Sequence, residues 1–405
     1  MFDRYQDFSQ LSPCNPLHVY IHVPFCPRKC RFCIYYTIRQ YSDYTINSYL
    51  QAVISDINRL ALAHNLDSES SFLLTSIYFG GGSPNVLSAS EIGILLDNLN
   101  LIGEFSADAE ISMEAFPEPD LYRNLIDYKH NGVNRISIGV QDFNASVLAA
   151  SRRPAVSRQD VKTLVDTCKN LDLQVNVDLI LGLPTQTRSG FLGSLEQLLA
   201  IGPNHISIYR YISGPYSAAF RLRESEPFTK LERGELIETR IAAVGMLEHA
   251  GYHEYAADHF VQSVASQCMH ELAEWRGEDV LGIGPGSQSF LINHLYRQMP
   301  NLKSYREHIS DGAVSGFVAL TNTDLCRRIA LLGLTKLMSL NVDLLQLRFE
   351  DSAYSVLKDI GRLVGGGYLR RDGDEVRITA SEYMPRVMFE LSNFANPELR
   401  QKLIS

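Results

Sequence analysis

Short runs of β-branched and aromatic residues alternate with longer segments of helical spacing through the first half of the chain. Six runs predict β-strands, and they lie at residues 18–23, 76–80, 109–115, 135–140, 174–181 and 205–210. The segment 43–63 places its apolar residues on one helical face. Ser88 and Glu91 predict a capping box at the start of a helix over 88–99. Repeated strand–helix units require parallel strands joined by right-handed crossovers.

The repeated units predict an α/β fold. Six units are too few for a closed eight-stranded barrel, so we expect an open, partial (β/α)6 barrel over 17–230 that another segment completes. The strands are interpreted as apolar on both faces, which is typical of a sheet covered by helices. Several of them end in Gly, Glu, Gln or Asp. Because α/β folds place active sites at the carboxyl ends of parallel strands, these ends are the candidate site.

Outside the barrel the sequence suggests three further regions. Residues 1–16 are expected to form an N-terminal tail, 231–320 a region that completes the barrel and contacts substrate, and 321–405 a helical C-terminal domain. The middle region contains a helical pattern over 232–250 and a Gly-rich segment over 282–290 that predicts a turn.

The C-terminal region contains a winged-helix pattern. A helix is predicted over 350–363, and a hairpin over 366–379 is expected to turn at Asp372 and Gly373. DNA binding is a familiar role of such a domain. The acidic balance of the chain argues against it.

Composition narrows the class of protein. The chain has 405 residues, 45% of them hydrophobic, and a formal net charge of −9. Since phosphate binding depends on a concentrated basic surface, nucleic acid is not the expected partner. The sequence contains no apolar run long enough for a membrane span, and the charged start "MFDRYQDFSQ" differs from a secretory signal. These features predict a cytoplasmic protein without a transmembrane segment.

Three of the seven cysteines, Cys26, Cys30 and Cys33, fall in the stretch "HVPFCPRKCRFCIYYT" at residues 22–37. In a chain without an export signal, such a cluster indicates metal or redox chemistry rather than disulfides. A zinc site is one interpretation, with His22 as a fourth ligand. The other is a four-iron cluster held by three thiolates, whose fourth iron stays open for a ligand.

The Cys26-x3-Cys30-x2-Cys33 spacing, just after the first strand, resembles the signature of the radical S-adenosylmethionine (SAM) superfamily. "YFGGGSP" at 78–84 resembles the superfamily's glycine motif after the second strand. The resemblance implies a [4Fe-4S] cluster whose open iron binds SAM and whose electron cleaves SAM to a 5'-deoxyadenosyl radical.

Further motifs resemble one family within that superfamily. "YIHVPFC", "ISMEAFPE", "RISIGVQDF", "VDLILGLPTQT" and "EWRGEDVLGIGPG" occur in the order found in the oxygen-independent coproporphyrinogen III oxidases and haem chaperones, the HemN-like and HemW-like proteins. The similarity covers roughly residues 17–290 and is weaker in the C-terminal region.

The resemblance implies roles for individual residues. Cys26, Cys30 and Cys33 would hold the cluster. The residues expected to bind SAM are Tyr20, Gly81, Gly82, Ser83, Glu114, Gln141, Arg153 and Asp178. Among them, Glu114 suits the methionine ammonium and Arg153 its carboxylate, with Arg152 as an alternative. Gln141 or Asp178 suits the ribose hydroxyls.

Three other features concern a second ligand. Phe32 would pack against the cluster or a second SAM, and Gly282, Gly284 and Gly286 resemble a loop near that ligand. His270 aligns with the histidine of the chaperones' haem motif "HNxxYW", although Glu271 and Glu274 replace its Asn and Tyr. A core or surface histidine is the alternative interpretation of His270.

These residues imply a radical SAM enzyme that acts on a tetrapyrrole or another organic substrate. Tyr35 stands where the oxidases carry a further cysteine, which puts decarboxylation of coproporphyrinogen in doubt. The alternatives are a class C-type methyltransferase that uses two SAM molecules, and a haem chaperone that binds haem. An electron donor such as flavodoxin or ferredoxin is the expected protein partner.

Overall fold

The computed structural model describes residues 4–8, 10–12, 15–64, 71–118, 121–211, 231–380 and 383–392. The six predicted strands are confirmed as parallel neighbours in one sheet: β1 Pro16–Val23, β2 Phe72–Gly81, β3 Gly103–Ala115, β4 Arg135–Gln141, β5 Gln174–Leu181 and β6 His205–Arg210. The helices before and between them are α1 Arg4–Phe8, α2 Asp43–His64, α3 Ala89–Leu99, α4 Leu121–His130, α5 Ala145–Ala150, α6 Arg158–Asn170 and α7 Arg188–Ile201. The capping box of Ser88 and Glu91 is also confirmed.

Shorter strands extend the sheet at both edges, so that this sheet has twelve strands among the described residues. Beside β6 lie β7 His253–Ala256 and β8 His259–Val261, which run antiparallel. Beside β1 lie β9 Val280–Ile283, β10 Gln288–Leu291, β11 His294–Arg297 and β12 Gly316–Ala319. Of these four strands, β9 pairs directly with β1 of the barrel and runs parallel to it. The barrel is therefore open, and its two ends finish in antiparallel hairpins.

The Gly-rich segment 282–290 is not a turn throughout, as the sequence interpretation had it. Gly282 lies within β9, and the segment enters β10 at Gln288, so the turn is confined to 284–287. A Cβ atom on Gly282 would lie 2.2 Å from the backbone oxygen of Gln288. The glycine is needed because the two strands approach each other closely here.

The interpretation of the strands as apolar on both faces is wrong. In β1, Val19 and Ile21 pack outward into the main core, whereas His18 and Tyr20 face the barrel interior. The same alternation gives the interior these polar side chains: Ser76, Tyr78, Glu110, Ser112, Glu114, Arg135, Ser137, Asn176, Asp178, His205 and Ser207. The outward-facing apolar side chains and the inward-facing polar side chains are both largely buried. The hydrophobicity of a whole strand therefore does not reveal that its two faces differ. We call this polar interior the lumen.

A short helix enters the open side of the barrel. It is α9 Met269–Arg276, and it follows α8 Arg233–His249, which confirms the helix predicted over 232–250. The Glu110 carboxylate accepts the backbone N–H groups of Met269 at 3.0 Å and His270 at 3.2 Å. A carboxylate at a helix N-terminus satisfies free N–H groups and complements the helix dipole. Glu110 thereby holds α9 inside the lumen.

The remaining described elements are α10 Leu302–His308, α11 Asn322–Thr335, α12 Val342–Phe349, α13 Tyr354–Gly365, α14 Met384–Leu391 and the strands β13 Leu340–Asn341, β14 Leu369–Asp372 and β15 Glu375–Ile378. The last four helices and three strands enclose a second core, and the predicted helix-and-hairpin pattern is confirmed. The turn lies at 373–374, one residue later than expected, because Asp372 pairs with Glu375. Among the described helices, none has the length and apolar character needed to cross a membrane.

The N-terminal helix α1 is attached to the barrel by a buried ion pair. Arg4, 1% exposed, bonds to Asp56 of α2. The other Asp56 oxygen accepts the Tyr305 hydroxyl at 2.5 Å, and that hydroxyl accepts Gly284 N–H at 3.2 Å. The network therefore joins α1, α2 and α10 to the turn after β9.

Loss of the Asp56 carboxylate should destabilise the fold. Asp56→Ala leaves the Arg4 guanidinium buried without its counter-charge, which typically costs about 3 kcal/mol or more. We expect a decrease of that size in the free energy of unfolding, measured by urea denaturation. Arg188→Ala is the matched control, because Arg188 pairs with Glu238 at 3.0 Å where both side chains are largely exposed. Its effect should stay below about 1 kcal/mol. Equal losses in the two variants would contradict the expectation.

Candidate active site

The three cysteines lie on a loop between β1 and α2, residues 24–42, which we call the cysteine loop. Its base is fixed: Ile38 N–H donates to Pro24 O at 2.7 Å, and Cys26 N–H donates to Ile38 O at 3.1 Å. Phe25 is fully buried against the rings of Tyr41 and Tyr49. The loop is therefore held at the carboxyl ends of the barrel strands.

Each thiol has a polar neighbour. Cys26 Sγ lies 3.4 Å from Ser83 Oγ, which belongs to the glycine motif. The Arg153 guanidinium donates to Cys30 Sγ at 3.2 Å. Burial raises the pKa of the Cys33 thiol, and the Lys29 ammonium, 3.5 Å from its sulfur, acts in the opposite direction. Cations therefore lie beside two of the three sulfurs, where they can offset the negative charge of thiolates that bind iron.

The structure distinguishes Arg153 from Arg152. Arg153 is buried, donates to Gly139 O at 2.5 Å and lies over the Phe116 ring with 4.5 Å between the guanidinium carbon and the ring centre. Arg152 is exposed, with a left-handed backbone (φ 59°). The guanidinium beside the cysteine loop is therefore that of Arg153.

The glycine motif packs directly beneath the cysteine loop. Gly82 N–H donates to Val23 O at 2.8 Å, and Ser83 N–H donates to Phe25 O at 2.7 Å. A Cβ atom on Gly82 would lie 2.3 Å from Phe25 O, and one on Gly81 would meet the His22 ring at the same distance. Both positions therefore require glycine, because β1 and the cysteine loop approach the glycine motif too closely for a side chain.

Two half-buried carboxyl groups lie on neighbouring parts of the sheet, Glu114 at the end of β3 and Asp178 in the middle of β5. Glu114 accepts Gly81 N–H at 3.0 Å and the Tyr78 hydroxyl at 3.2 Å. Asp178 accepts from Asn176 at 2.7 Å and Ser137 at 3.2 Å. Burial raises the pKa of each carboxyl to about 7, and for Glu114 the charge of Asp178 adds to the effect. Near neutral pH each group can therefore exist as acid or carboxylate.

Gln141 and Phe32 lie at the same end of the barrel. Gln141 ends β4 in the left-handed region (φ 72°), and its buried side-chain oxygen accepts no hydrogen bond from the described part of the chain. A free buried acceptor fits a ligand that supplies a donor. Phe32 is partly buried against a small apolar cluster formed by Val147, Ile180 and Leu183.

His22 does not face the thiols as a zinc ligand would. Its Nε2 bonds to Tyr36 O at 3.0 Å and its Nδ1 to the Tyr20 hydroxyl at 3.2 Å, so both ring nitrogens are used. Burial lowers the pKa of His22 to about 4. Among the described residues, no group of three or more His, Cys, Asp and Glu side chains is arranged to hold a metal ion.

Tyr20 and His270 line the lumen below this layer. The His270 ring is buried, stacks on Tyr78 with centres 5.1 Å apart, and its Nδ1 lies 2.9 Å from Ser76 Oγ. Burial lowers its pKa to about 3, so the imidazole is neutral. Tyr20 stacks on the same Tyr78 at 6.1 Å. His270 is thus an interior side chain, whereas Tyr35, 50% exposed, lies at the rim of the barrel.

Sequence reasoning missed two residues of this site. Lys29 was not singled out, although it lies between two of the cysteines in the chain. Glu271 was noted only as a departure from the haem motif, yet its side chain reaches the lumen, 3.4 Å from His259 Nδ1. The period-2 alternation of polar residues along the strands was the signal for a polar lumen.

An open parallel barrel with a three-cysteine loop after its first strand, and polar side chains at its strand ends, defines a radical SAM protein. The radical SAM superfamily model matches residues 20–198. The chain belongs to the HemN/HemW-like family of radical SAM proteins.

Two curated relatives support this assignment. The heme chaperone HemW of Escherichia coli is 33% identical over 274 residues, which cover 67% of this chain and 69% of that protein. The oxygen-independent coproporphyrinogen III oxidase of the same organism is 26% identical over 389 residues, covering 91% and 83%.

A solved structure confirms the fold. Coproporphyrinogen III oxidase (HemN) from Escherichia coli superimposes with a TM-score of 0.81 at 24% identity, covering 96% of this chain and 93% of that one. The partial barrel and the C-terminal domain therefore form one known architecture.

The donor set at the mouth of the barrel fits the cofactors of this family. Three thiols on one loop supply the number of ligands for a cluster with one open iron, although their sulfurs are not gathered as a metal site in this structure. The Arg153 and Lys29 cations beside two of them offset thiolate charge. The free oxygen of Gln141 and the carboxyls of Glu114 and Asp178 suit the hydroxyl and ammonium groups of SAM.

Proposed function

We propose that this chain is a radical SAM enzyme that acts on an organic substrate bound at the lumen. The observation that carries the proposal is the convergence on the cysteine loop: Ser83 reaches Cys26 and Arg153 reaches Cys30. Glu114 is tied to the same layer through Gly81. These residues come from different strands, and a site assembled from several strand ends is typical of catalysis on a parallel barrel.

When bound, the cluster supplies the electron that cleaves SAM to methionine and a 5'-deoxyadenosyl radical. The chain's own residues would hold the cluster and orient SAM beside it. Cys26, Cys30 and Cys33 are the iron ligands. Arg153 lies where it can compensate thiolate charge and bind the SAM carboxylate. Glu114 accepts the methionine ammonium, which draws this carboxyl to its ionised form.

Gln141 and Asp178 lie on the neighbouring strands and suit the ribose. Tyr20 and Tyr78 form an aromatic wall below this layer and limit the water near the reactive carbon. The names of the relatives indicate a tetrapyrrole as one substrate class. The proposed enzyme would receive its electron from a donor such as flavodoxin or ferredoxin and would be located in the cytoplasm.

A haem chaperone is the second candidate, and the similarity to heme chaperone HemW favours it. Its prediction is haem binding through His270. The His270 ring is 4% exposed, stacks on Tyr78 and bonds through Nδ1 to Ser76 Oγ, which are the contacts of an interior side chain. These contacts support the enzyme over the chaperone.

Anaerobic turnover tests the proposal. Protein loaded with iron and sulfide, reduced with dithionite and supplied with SAM, should release 5'-deoxyadenosine. A full cluster without that product would refute the proposal. S-adenosylhomocysteine, quantified in the same samples, would indicate the alternative of methyl transfer with two SAM molecules. Haem titration of wild type and His270→Ala tests the chaperone, which requires binding that the substitution weakens.

A further inference from the structure

The base of the lumen contains two buried hydrogen-bond donors that the SAM site does not use. Arg135 of β4 is 3% exposed and His205 of β6 is 1% exposed. The Arg135 Nη1 and His205 Nε2 atoms have no hydrogen-bond partner in the described part of the chain. Because an unpaired buried donor costs free energy, such a pair points to a missing acceptor.

The His205 tautomer follows from its neighbour. Arg135 Nη2 lies 2.9 Å from His205 Nδ1, and a guanidinium can only donate. Nδ1 is therefore the acceptor. Burial, and then the charge of Arg135, lower the pKa of His205, so the ring is neutral and its proton sits on Nε2. Both free nitrogen atoms are therefore donors.

Both side chains line one small cavity of about 10 Å³. A single water molecule needs about 10 to 15 Å³ of such space, so the cavity has room for no more than one oxygen atom. Asn176 and Ser137 line it as well and bond to Asp178, so the cavity lies directly below the carboxyl layer at the mouth. A substrate bound at the mouth could therefore extend one oxygen into it.

The charge around the cavity can accommodate an anionic oxygen when Glu271 is protonated. Two carboxyl groups act on the Arg135 charge: Glu110, at 3.7 Å, and Glu271 on the cavity wall. The Glu110 carboxylate already accepts from Ser112, Cys268 and the start of α9. Glu271 also lines the cavity, and burial raises its pKa to about 7, so it can take up a proton and donate.

We propose that Arg135 and His205 form a subsite for one carboxylate oxygen of the substrate at the base of the lumen. This inference deepens the proposed function, on which it rests, by naming a chemical group that the substrate carries. The two donors are held on β4 and β6 before any ligand binds. They would orient the substrate so that the atom attacked by the radical faces the mouth.

Formate, the smallest carboxylate, is the probe. The cluster-loaded full chain is labelled with ¹⁵N-histidine and titrated with ¹³C-formate, with sodium chloride at equal ionic strength as the reference. The inference expects a saturable shift of the His205 Nε2–H resonance with formate and none with chloride. No saturable shift, or a cross-peak to bound water that formate does not displace, would overturn it.

Variants assign the binding to this subsite. His205→Phe should weaken formate binding at least about tenfold, the effect expected when a hydrogen bond to a charged group is lost. His18→Phe is the matched control, because both ring nitrogens of that lumen histidine are already engaged, with Ser76 and Glu278. It should change formate affinity less than about twofold. Equal effects of the two substitutions would contradict the inference. If His205→Phe does not fold, His205→Gln keeps one N–H donor and should bind formate.

The same preparations are assayed for 5'-deoxyadenosine. Release of that product without a formate effect would refute the subsite and leave the proposed function intact. Absence of the product from protein with a full cluster would refute the proposed function itself.

Discussion

Replacing any one of Cys26, Cys30 and Cys33 with alanine is expected to abolish SAM cleavage. On the proposed function each thiolate would hold one iron, so a single loss would leave the cluster with two protein ligands. Changes in the outer sphere of a metal site already cost about 10- to 100-fold in affinity or activity. We therefore expect the yield of 5'-deoxyadenosine to decrease by more than about a hundredfold, together with the iron and sulfide content.

Cys168→Ala is the matched control for these variants. Cys168 is fully buried in α6, and burial raises the pKa of its thiol to about 12, so the group stays protonated. The control should keep its cluster and its product yield, with a loss of about 1 kcal/mol in stability from the small cavity. Full activity in any of the three loop variants would show that the loop does not hold the cluster.

The second large effect is expected at Glu114. Glu114→Gln keeps the size of the side chain and removes the charge proposed to pair with the SAM ammonium. Hydrogen bonds to charged groups contribute about 1.5 to 3 kcal/mol, so SAM affinity should decrease roughly 10- to 100-fold. Equilibrium binding of SAM to the anaerobic, cluster-loaded protein measures the effect.

The pH dependence of SAM binding gives a second readout of Glu114. Burial raises the pKa of this carboxyl to about 7 in the free protein. On the proposed role of Glu114 only its ionised form would pair with the ammonium, so affinity should be highest just above that pH. Below it, affinity should decrease by up to about tenfold per pH unit, because binding must first release the proton. Glu114→Gln should lose this dependence on pH.

Glu104→Gln is the matched control for Glu114→Gln, because it makes the same substitution on the same strand away from the proposed SAM site. Glu104 lies near the start of the same strand β3, and its side chain is exposed. Substitution there should change SAM affinity less than about twofold and leave its pH profile as in the wild type. A flat pH profile in the wild-type protein would exclude Glu114 as the ammonium partner.

Local features of this molecule could be predicted without the structure. The three cysteines share one loop, so their spacing indicated metal or redox chemistry, and its resemblance to the radical SAM signature implied a cluster with an open position. The six strands and the Ser88–Glu91 capping box depend on neighbours a few residues away, and the structure confirms them. The C-terminal helix and hairpin followed from the same kind of short-range pattern, with an error of one residue in the turn.

Other features depend on which face each strand presents. Counting hydrophobic residues led to strands with two apolar faces, whereas the alternation along β1 puts His18 and Tyr20 in the lumen. The choice between Arg152 and Arg153 depends on a left-handed residue in the loop after α5, which turns one side chain outward and the next inward. Sequence spacing does not encode such a rotation.

The sequence by itself determined the family, the cysteine loop and the parallel barrel, because each rests on short-range order along the chain. The tertiary structure alone decided that α9 fills the open side of the barrel and that Arg4 is buried against Asp56. It also brought Arg135 and His205, 70 residues apart, to one cavity. These contacts arise only when distant segments bury their polar groups together, since each group needs a partner once water is excluded.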